Sequence, residues 1–213
     1  HNSSSAASDV YKRQEQVNIA LLIAALVFLI PMYITPGPNN ILCAVHGSQH
    51  GFRATLPLIS GFVIGWIIMG AFAALAIDFL EQNTGILTYL TFVGASYMVY
   101  LSYKIATSKP IDDGINESQR LSPRTGMFLQ FVNGKAWIHD IVLLGSFGTV
   151  FGAGFWAKMA LILFSTIICL PFVALWAAFG TFLRKFFTTP ESSSLLNKVM
   201  GFSLFIVAIW LIV

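Results

Sequence analysis

Six continuous apolar stretches, bounded by polar or Gly/Pro punctuation, dominate this chain: residues 17–45, 56–77, 86–106, 126–150, 156–182 and 195–213. A helix needs about 20 apolar residues to cross a bilayer, and each run is near that length. Continuous rather than alternating apolar residues argue for helices and against a β-barrel. Over the whole chain 56% of residues are hydrophobic and only 10% charged, more apolar surface than a small soluble domain can hide. A soluble enzyme, a nucleic-acid binder and a disordered chain are thereby excluded. The expected fold class is an all-α polytopic membrane protein with six transmembrane helices, a single domain over 15–213 embedded in the lipid bilayer.

Residues 1–14 stand apart. They lack an initiator Met and the apolar core of a signal peptide. Their end, Asp9-Val10-Tyr11-Lys12-Arg13-Gln14, reads as translated sequencing-adapter sequence. The native start is expected near Glu15 or to have been lost.

The few charges give an orientation. Loops one, three and five carry Arg53; Lys104, Lys109, Arg120 and Arg124; and Arg184, Lys185 and Lys198. Loops two and four carry only Lys158, and loop two is acidic through Asp78 and Glu81. Cytoplasmic loops collect Lys and Arg, so the odd loops are expected inside and both termini outside. The same rule accounts for the net charge of +3 without a nucleic-acid partner. Three spans on either side of the long loop at 107–124 suggest two halves, the second inverted in the membrane. In that plan, substrate binds near the midplane between interrupted helices at corresponding positions, here spans one and four.

Span one is interrupted at Thr35-Pro36-Gly37-Pro38-Asn39-Asn40, toward its inner half. Two prolines remove two backbone donors, and Gly37 weakens the helix further. Carbonyls freed in this way must be satisfied by protein or line a polar cavity. Asn39 and Asn40 add amides suited to a zwitterion, or alternatively close a simple kink. Pro36, Gly37, Pro38, Asn39 and Asn40 are therefore candidate substrate-binding residues.

Span four is unusually polar. Gln130 and Asn133 are spaced i, i+3, with Trp137 and Asp140 continuing that face, while Lys135 and His139 lie on another. A charge at mid-membrane costs at least about 2.5–3.5 kcal/mol, so Lys135 should face the bundle and find an acceptor, either Asp140 or the carbonyls at the first break. Gln130, Asn133 and Lys135 complete the candidate binding set, Lys135 as a carboxylate anchor or coupling group. Asp140 and His139 are candidates for proton coupling, although a solvated position near the outer mouth is an equal alternative.

Other features read as structural. Cys43 and Cys169 lie in apolar runs as buried thiols. His46 and His50 fall in the first loop with no acidic companion, so no metal site and no cofactor is implied. Gly61 and Gly65 form a small-residue pair in span two, and Gly94-Ala95-Ser96 repeats the signal in span three. Such faces let helices approach closely, within the chain or in a homodimer. Trp66, Trp156, Trp176 and Trp210 read as packing or interfacial-belt residues.

Thr-Pro-Gly-Pro-Asn-Asn at 35–40, Gly51-Phe52-Arg53, and Leu129-Gln130-Phe131-Val132-Asn133 followed by Lys135 resemble the LysE/RhtB superfamily of amino-acid exporters. Gly94-Ala95-Ser96-Tyr97, the run Lys104-Ile105-Ala106-Thr107-Ser108, and Asp113-Gly114 look most like its cysteine/O-acetylserine branch. The resemblance covers 17–213. It implies inner-membrane efflux of small amino acids or their derivatives, driven by the proton gradient. The family's span-four motif often reads Asn-Pro-Lys. Here Gly134 replaces the proline, leaving a softer break, and Asp140 lies outside the family pattern.

The expected function is thus alternating-access export of a small amino acid bound between spans one and four. Homoserine, threonine, leucine or a metal cation are alternative cargoes, although a cation pathway should show several acidic residues within the spans. A channel or structural membrane subunit would also tolerate the helix breaks. A membrane-embedded enzyme would need a catalytic constellation that the sequence does not contain.

Overall fold

The computed structural model describes residues 18–82, 84–107, 120–187, 189–210 and 212, and all regular structure among them is helical. Residues 1–14, Asp113 and Gly114 lie outside the described residues. In chain order the helices are α1 (Ile19–Ile34), α2 (Pro38–His50), α3 (Phe52–Gln82), α4 (Thr84–Ala106), α5 (Pro123–Phe131), α6 (Gly134–Phe147), α7 (Phe155–Arg184) and α8 (Pro190–Trp210). Within 52–77, 155–184 and 190–209, α3, α7 and α8 are long and apolar enough to cross a membrane. The α1–α2 pair, bent by 44°, makes a fourth if it is one broken span. The expected spans at 86–106 and 126–150 fall on α4 and on the α5–α6 pair.

Local chemistry sets the helix ends. Asn18 caps α1 by accepting the Leu21 N–H at 3.0 Å. Ser122 does the same for α5 with Thr125 at 3.3 Å, and Pro123 occupies its first position. The first loop is much shorter than the sequence suggests, because α2 runs on to His50 and α3 starts at Phe52. Gly51 makes the whole turn at φ +85°, where a side chain would be strained. His46 is consequently a buried helix residue rather than a loop residue. Its Nδ1 pairs with Thr55 Oγ1 at 2.9 Å, and its Nε2 accepts the Leu121 N–H at 3.1 Å. It ties α2, α3 and the start of α5 together.

Glycines allow the helices to touch backbone to backbone. A Cβ on Gly180 of α7 would run into the Ala44 carbonyl of α2, and one on Gly47 into the Ala177 carbonyl. Gly61 and Gly126 stand in the same relation to the Pro123 and Leu58 carbonyls, and a Cβ on Gly65 would lie 2.9 Å from Gln130 Cβ. The small-residue pair of span two is therefore used inside the chain, between α3 and α5. In the centre, α3 meets α7 where Gly70 faces Ile162, and Gly201 of α8 packs on Ser102 and Ala106 of α4. Outward faces are apolar: Ile23, Val27, Leu75, Ile167 and Phe202 are exposed, as a lipid-facing surface requires. Trp156 is 81% exposed.

The bundle has two chemically distinct ends. At one, Arg184 Nη1 reaches the Gln49 carbonyl at 3.5 Å, and a cavity of about 190 Å³ is lined by Gln49, Lys104 and Arg120. These side chains come from or border all three odd loops. At the other, the Asn18 N–H donates to the Val150 carbonyl at 3.0 Å, so the start of α1 lies beside the fourth loop.

Candidate functional site

Two interrupted helices build the site. At the first interruption, Thr35 and Gly37 have extended backbone, and Pro38, having no N–H, opens α2 without leaving an orphan donor. Asn40 closes the break. Its Nδ2 donates to the Tyr33 carbonyl at 2.9 Å and the Thr35 carbonyl at 3.0 Å, satisfying acceptors that lipid could not. At the second, Val132 ends α5 and Asn133 caps α6 by accepting the Lys135 N–H at 3.1 Å. Glycine in place of proline therefore leaves a complete break. Trp137 donates Nε1 to the Phe131 carbonyl at 2.7 Å, doing for this break what Asn40 does for the other.

The two breaks are bonded to each other. Asn39 Nδ2 donates to Gln130 Oε1 at 2.6 Å, and Asn133 Nδ2 donates to Asn39 Oδ1 at 3.2 Å. Lys135 Nζ donates to Thr35 Oγ1 at 3.3 Å. It lies so close over Gly37 that a Cβ there would come within 3.1 Å of the ammonium. Lys135 thus points at the first break and not at Asp140. Together these contacts hold a backbone turn, three amides and one ammonium around a common point inside an apolar bundle.

A model of the LysE type translocator family matches residues 30–213. The chain belongs to that family. The family is one of translocators, not enzymes. Cysteine/O-acetylserine efflux proteins of Escherichia coli strain K12, Shigella flexneri serotype 5b strain 8401 and Shigella sonnei strain Ss046 are each 33% identical to it over 128 residues. The matched stretch is 60% of this chain and 65% of each relative, so the chain spans just under two thirds of their length. No solved structure matches at a significant level.

In this LysE type translocator the junction opens onto a cavity of about 60 Å³. Gly37, Pro38, Asn39, Asn40, Asn133, Lys135 and His139 line it. Three other sequence candidates, Pro36, Gln130 and Asp140, do not. Pro36 is exposed beside the break, and Gln130 is fully buried and reaches the cavity only by holding Asn39. Asp140 is fully buried as well, which removes the reading of a solvated residue at the outer mouth. Its Oδ1 accepts Trp66 Nε1 at 2.9 Å and lies 3.3 Å from His139 Nδ1.

Met32, Tyr33, Trp66, Ala136, Cys169 and Val173 complete the wall, and the sequence singles out none of them as site residues. Trp66, read from sequence as packing or belt, packs in the core and also donates to Asp140. Tyr33 could have been suspected, standing two residues before the break. Nothing local marks Trp66 or Cys169, which reach the cavity only because α3 and α7 pass beside the breaks.

Proposed function

We propose that this translocator exports small amino acids or their derivatives, of the cysteine/O-acetylserine kind, across the bacterial inner membrane in exchange for protons. The observation that carries this reading is the bonded junction of the two broken helices. Lys135 Nζ stands over Gly37 and beside Thr35, next to the Asn39–Asn133 amide pair. An ammonium with neighbouring amides suits a carboxylate, and amides with free lone pairs suit an amine. The names of the 33%-identical relatives point to the same class of cargo. Asn39, Asn40, Asn133 and Lys135 would contact the substrate, Gln130 would position Asn39, and Asp140 with His139 would carry the coupling proton.

The architecture proposed for this work is six spans in two inverted halves. Its support is the chain order, in which an interrupted helix, a long helix and a third helix occur twice, α1–α4 and α5–α8. The basic end that gathers Lys104, Arg120 and Arg184 would be cytoplasmic, with both termini outside. A homodimer would have to use a face other than Gly61 and Gly65 of α3, which α5 already covers. A cation cargo has less support, since no acidic side chain among the described residues lines the cavity and Asp140 stands behind His139.

Everted membrane vesicles containing the chain test the proposal. Labelled cysteine or O-acetylserine should accumulate when an inside-acid gradient is imposed, and should stop accumulating when the gradient is collapsed. Lys135→Ala should lower uptake at least about tenfold, the value of one charge-assisted contact, and Asn133→Ala should lower it less. Uptake indifferent to the gradient would sink the antiport, and uptake indifferent to Lys135 would sink the site.

A further inference from the structure

His139 and Asp140 form a pair whose unused atoms call for a ligand. Asp140 is fully buried, and its Oδ1 lies within hydrogen-bond distance of both Trp66 Nε1 and His139 Nδ1. Oδ1 already accepts from Trp66 Nε1, which can only donate; with Oδ1 accepting from His139 as well, the ring proton is assigned to Nδ1 and Nε2 is left as a bare lone pair. That Nε2 is buried and has no hydrogen-bond partner, and neither has Asp140 Oδ2. The ring is clamped between Phe28, stacked at 5.5 Å, and Trp66, edge-on at 5.2 Å, with Tyr33 tilted at 5.4 Å. It cannot easily turn to find another donor. A buried acceptor held rigid and unsatisfied at a cavity wall is costly unless something that enters the cavity supplies the donor.

The ligand that fits is a primary ammonium. Tyr33 and Trp66 line the same cavity with aromatic rings of the kind that attract cations, and the Asp140 carboxyl stands one hydrogen bond behind His139. Lys135 lies four residues before His139 on α6, hence on the same helix face and about 6 Å away along the axis. Both residues line the one cavity, so a single small ligand can meet both. We infer that His139 Nε2 seats the substrate's ammonium while Lys135 takes its carboxylate, and that a proton on the same nitrogen excludes the ammonium. This rests on the amino-acid export reading above and adds an orientation and a coupling atom to it. Protonation turns Nε2 from acceptor to donor and makes the ring cationic, so proton and substrate occupy the seat in turn. The other titratable groups at this seat are Asp140 and Lys135 on α6, Tyr33 on α1 and Cys169 on α7; α3 contributes Trp66, which does not titrate.

Calorimetric binding to the purified full chain in lipid nanodiscs tests the seat, using L-cysteine and N-acetyl-L-cysteine, which keeps the carboxylate and thiol but has no ammonium. The wild type should bind L-cysteine at least about tenfold more tightly than the acetylated compound, as expected for a charge-assisted hydrogen bond. L-Cysteine affinity should also fall about tenfold as the pH is lowered, because proton and ammonium compete for the same nitrogen. His139→Phe keeps the aromatic packing and should reduce the preference to within about twofold, with the pH slope lost. Equal binding of the two compounds by the wild type would overturn the seat without recourse to any variant. So would a His139→Phe protein that keeps both the preference and the slope. If Lys135-dependent efflux persists in those cases, the seat alone has failed; if wild-type vesicles show no gradient-driven efflux at all, the export reading fails with it.

Discussion

The two helix breaks meet at one point but are made differently. The first is imposed by covalent chemistry: Pro36 and Pro38 cannot donate, and Gly37 between them is extended, so no helix can pass. The second is made by capping. Asn133 takes the Lys135 N–H, Gly134 offers little helix propensity, and the chain kinks although every backbone donor there is intact. Each break then recruits one side chain to its freed carbonyls, Asn40 in the first and Trp137 in the second. A break made by proline persists whatever surrounds it. One made by a cap depends on its partners and is the better candidate for the moving element of a transport cycle.

The strongest way to break this pairing is to remove the residue the two breaks share. Asn39→Leu deletes both the bond to Gln130 and the bond from Asn133, leaving polar groups stranded in an apolar bundle. A loss of about 2–4 kcal/mol is expected, with efflux abolished. Cys43 is fully buried, so in a Cys169→Ala background the temperature at which a thiol-reactive dye gains access reads this stability directly. Next in size is Asn40→Ala, which leaves the Tyr33 and Thr35 carbonyls without their donor at a break that proline will not let heal. About 1–3 kcal/mol should be lost by the same dye assay.

How much of this was legible in the sequence follows from the same contrast. Pro36-Gly37-Pro38 shows the first break to any reader, because proline acts through its own covalent structure. The second break was visible only as a polar cluster around Gln130, Asn133 and Lys135, since a cap is recognised by where its side chain goes. The helix order was legible from apolar runs. The first loop was not: residues 46–50 look polar, yet His46 continues the helix because Thr55 and Leu121 satisfy its ring. Gly61 and Gly65 announced close packing without naming α5 as the partner. Trp66 and Cys169 were illegible as site residues, because the crossing of α3 and α7 at Gly70 and Ile162 is a tertiary fact with no local signature.

Trp137→Phe tests whether the second break really depends on its repair. The change keeps an aromatic side chain and removes only the donor to the Phe131 carbonyl. A cost of about 1 kcal/mol is expected, near the mean for one hydrogen bond, because the softer break can relax and let Phe131 find another donor. A loss as large as that of Asn40→Ala would show that the two breaks are equally rigid.

Gly134→Pro is the smallest expected change and the most informative in sign. Gly134 is the first residue of α6, where proline is favoured because its missing N–H would have no helical partner. Asn133 before it already has φ −87° and ψ 96°, outside the helical region that a following proline disfavours. Substitution should therefore stabilise the chain by about 0.4–1 kcal/mol, chiefly by restricting the unfolded state, and so raise the dye-access temperature slightly. It should also make the second break as covalently fixed as the first. If the softness of this break serves the transport cycle, vesicle uptake should slow although the protein has become more stable. If uptake is unchanged, the cap alone already holds α5 and α6 apart throughout the cycle, and the two breaks differ in origin but not in behaviour.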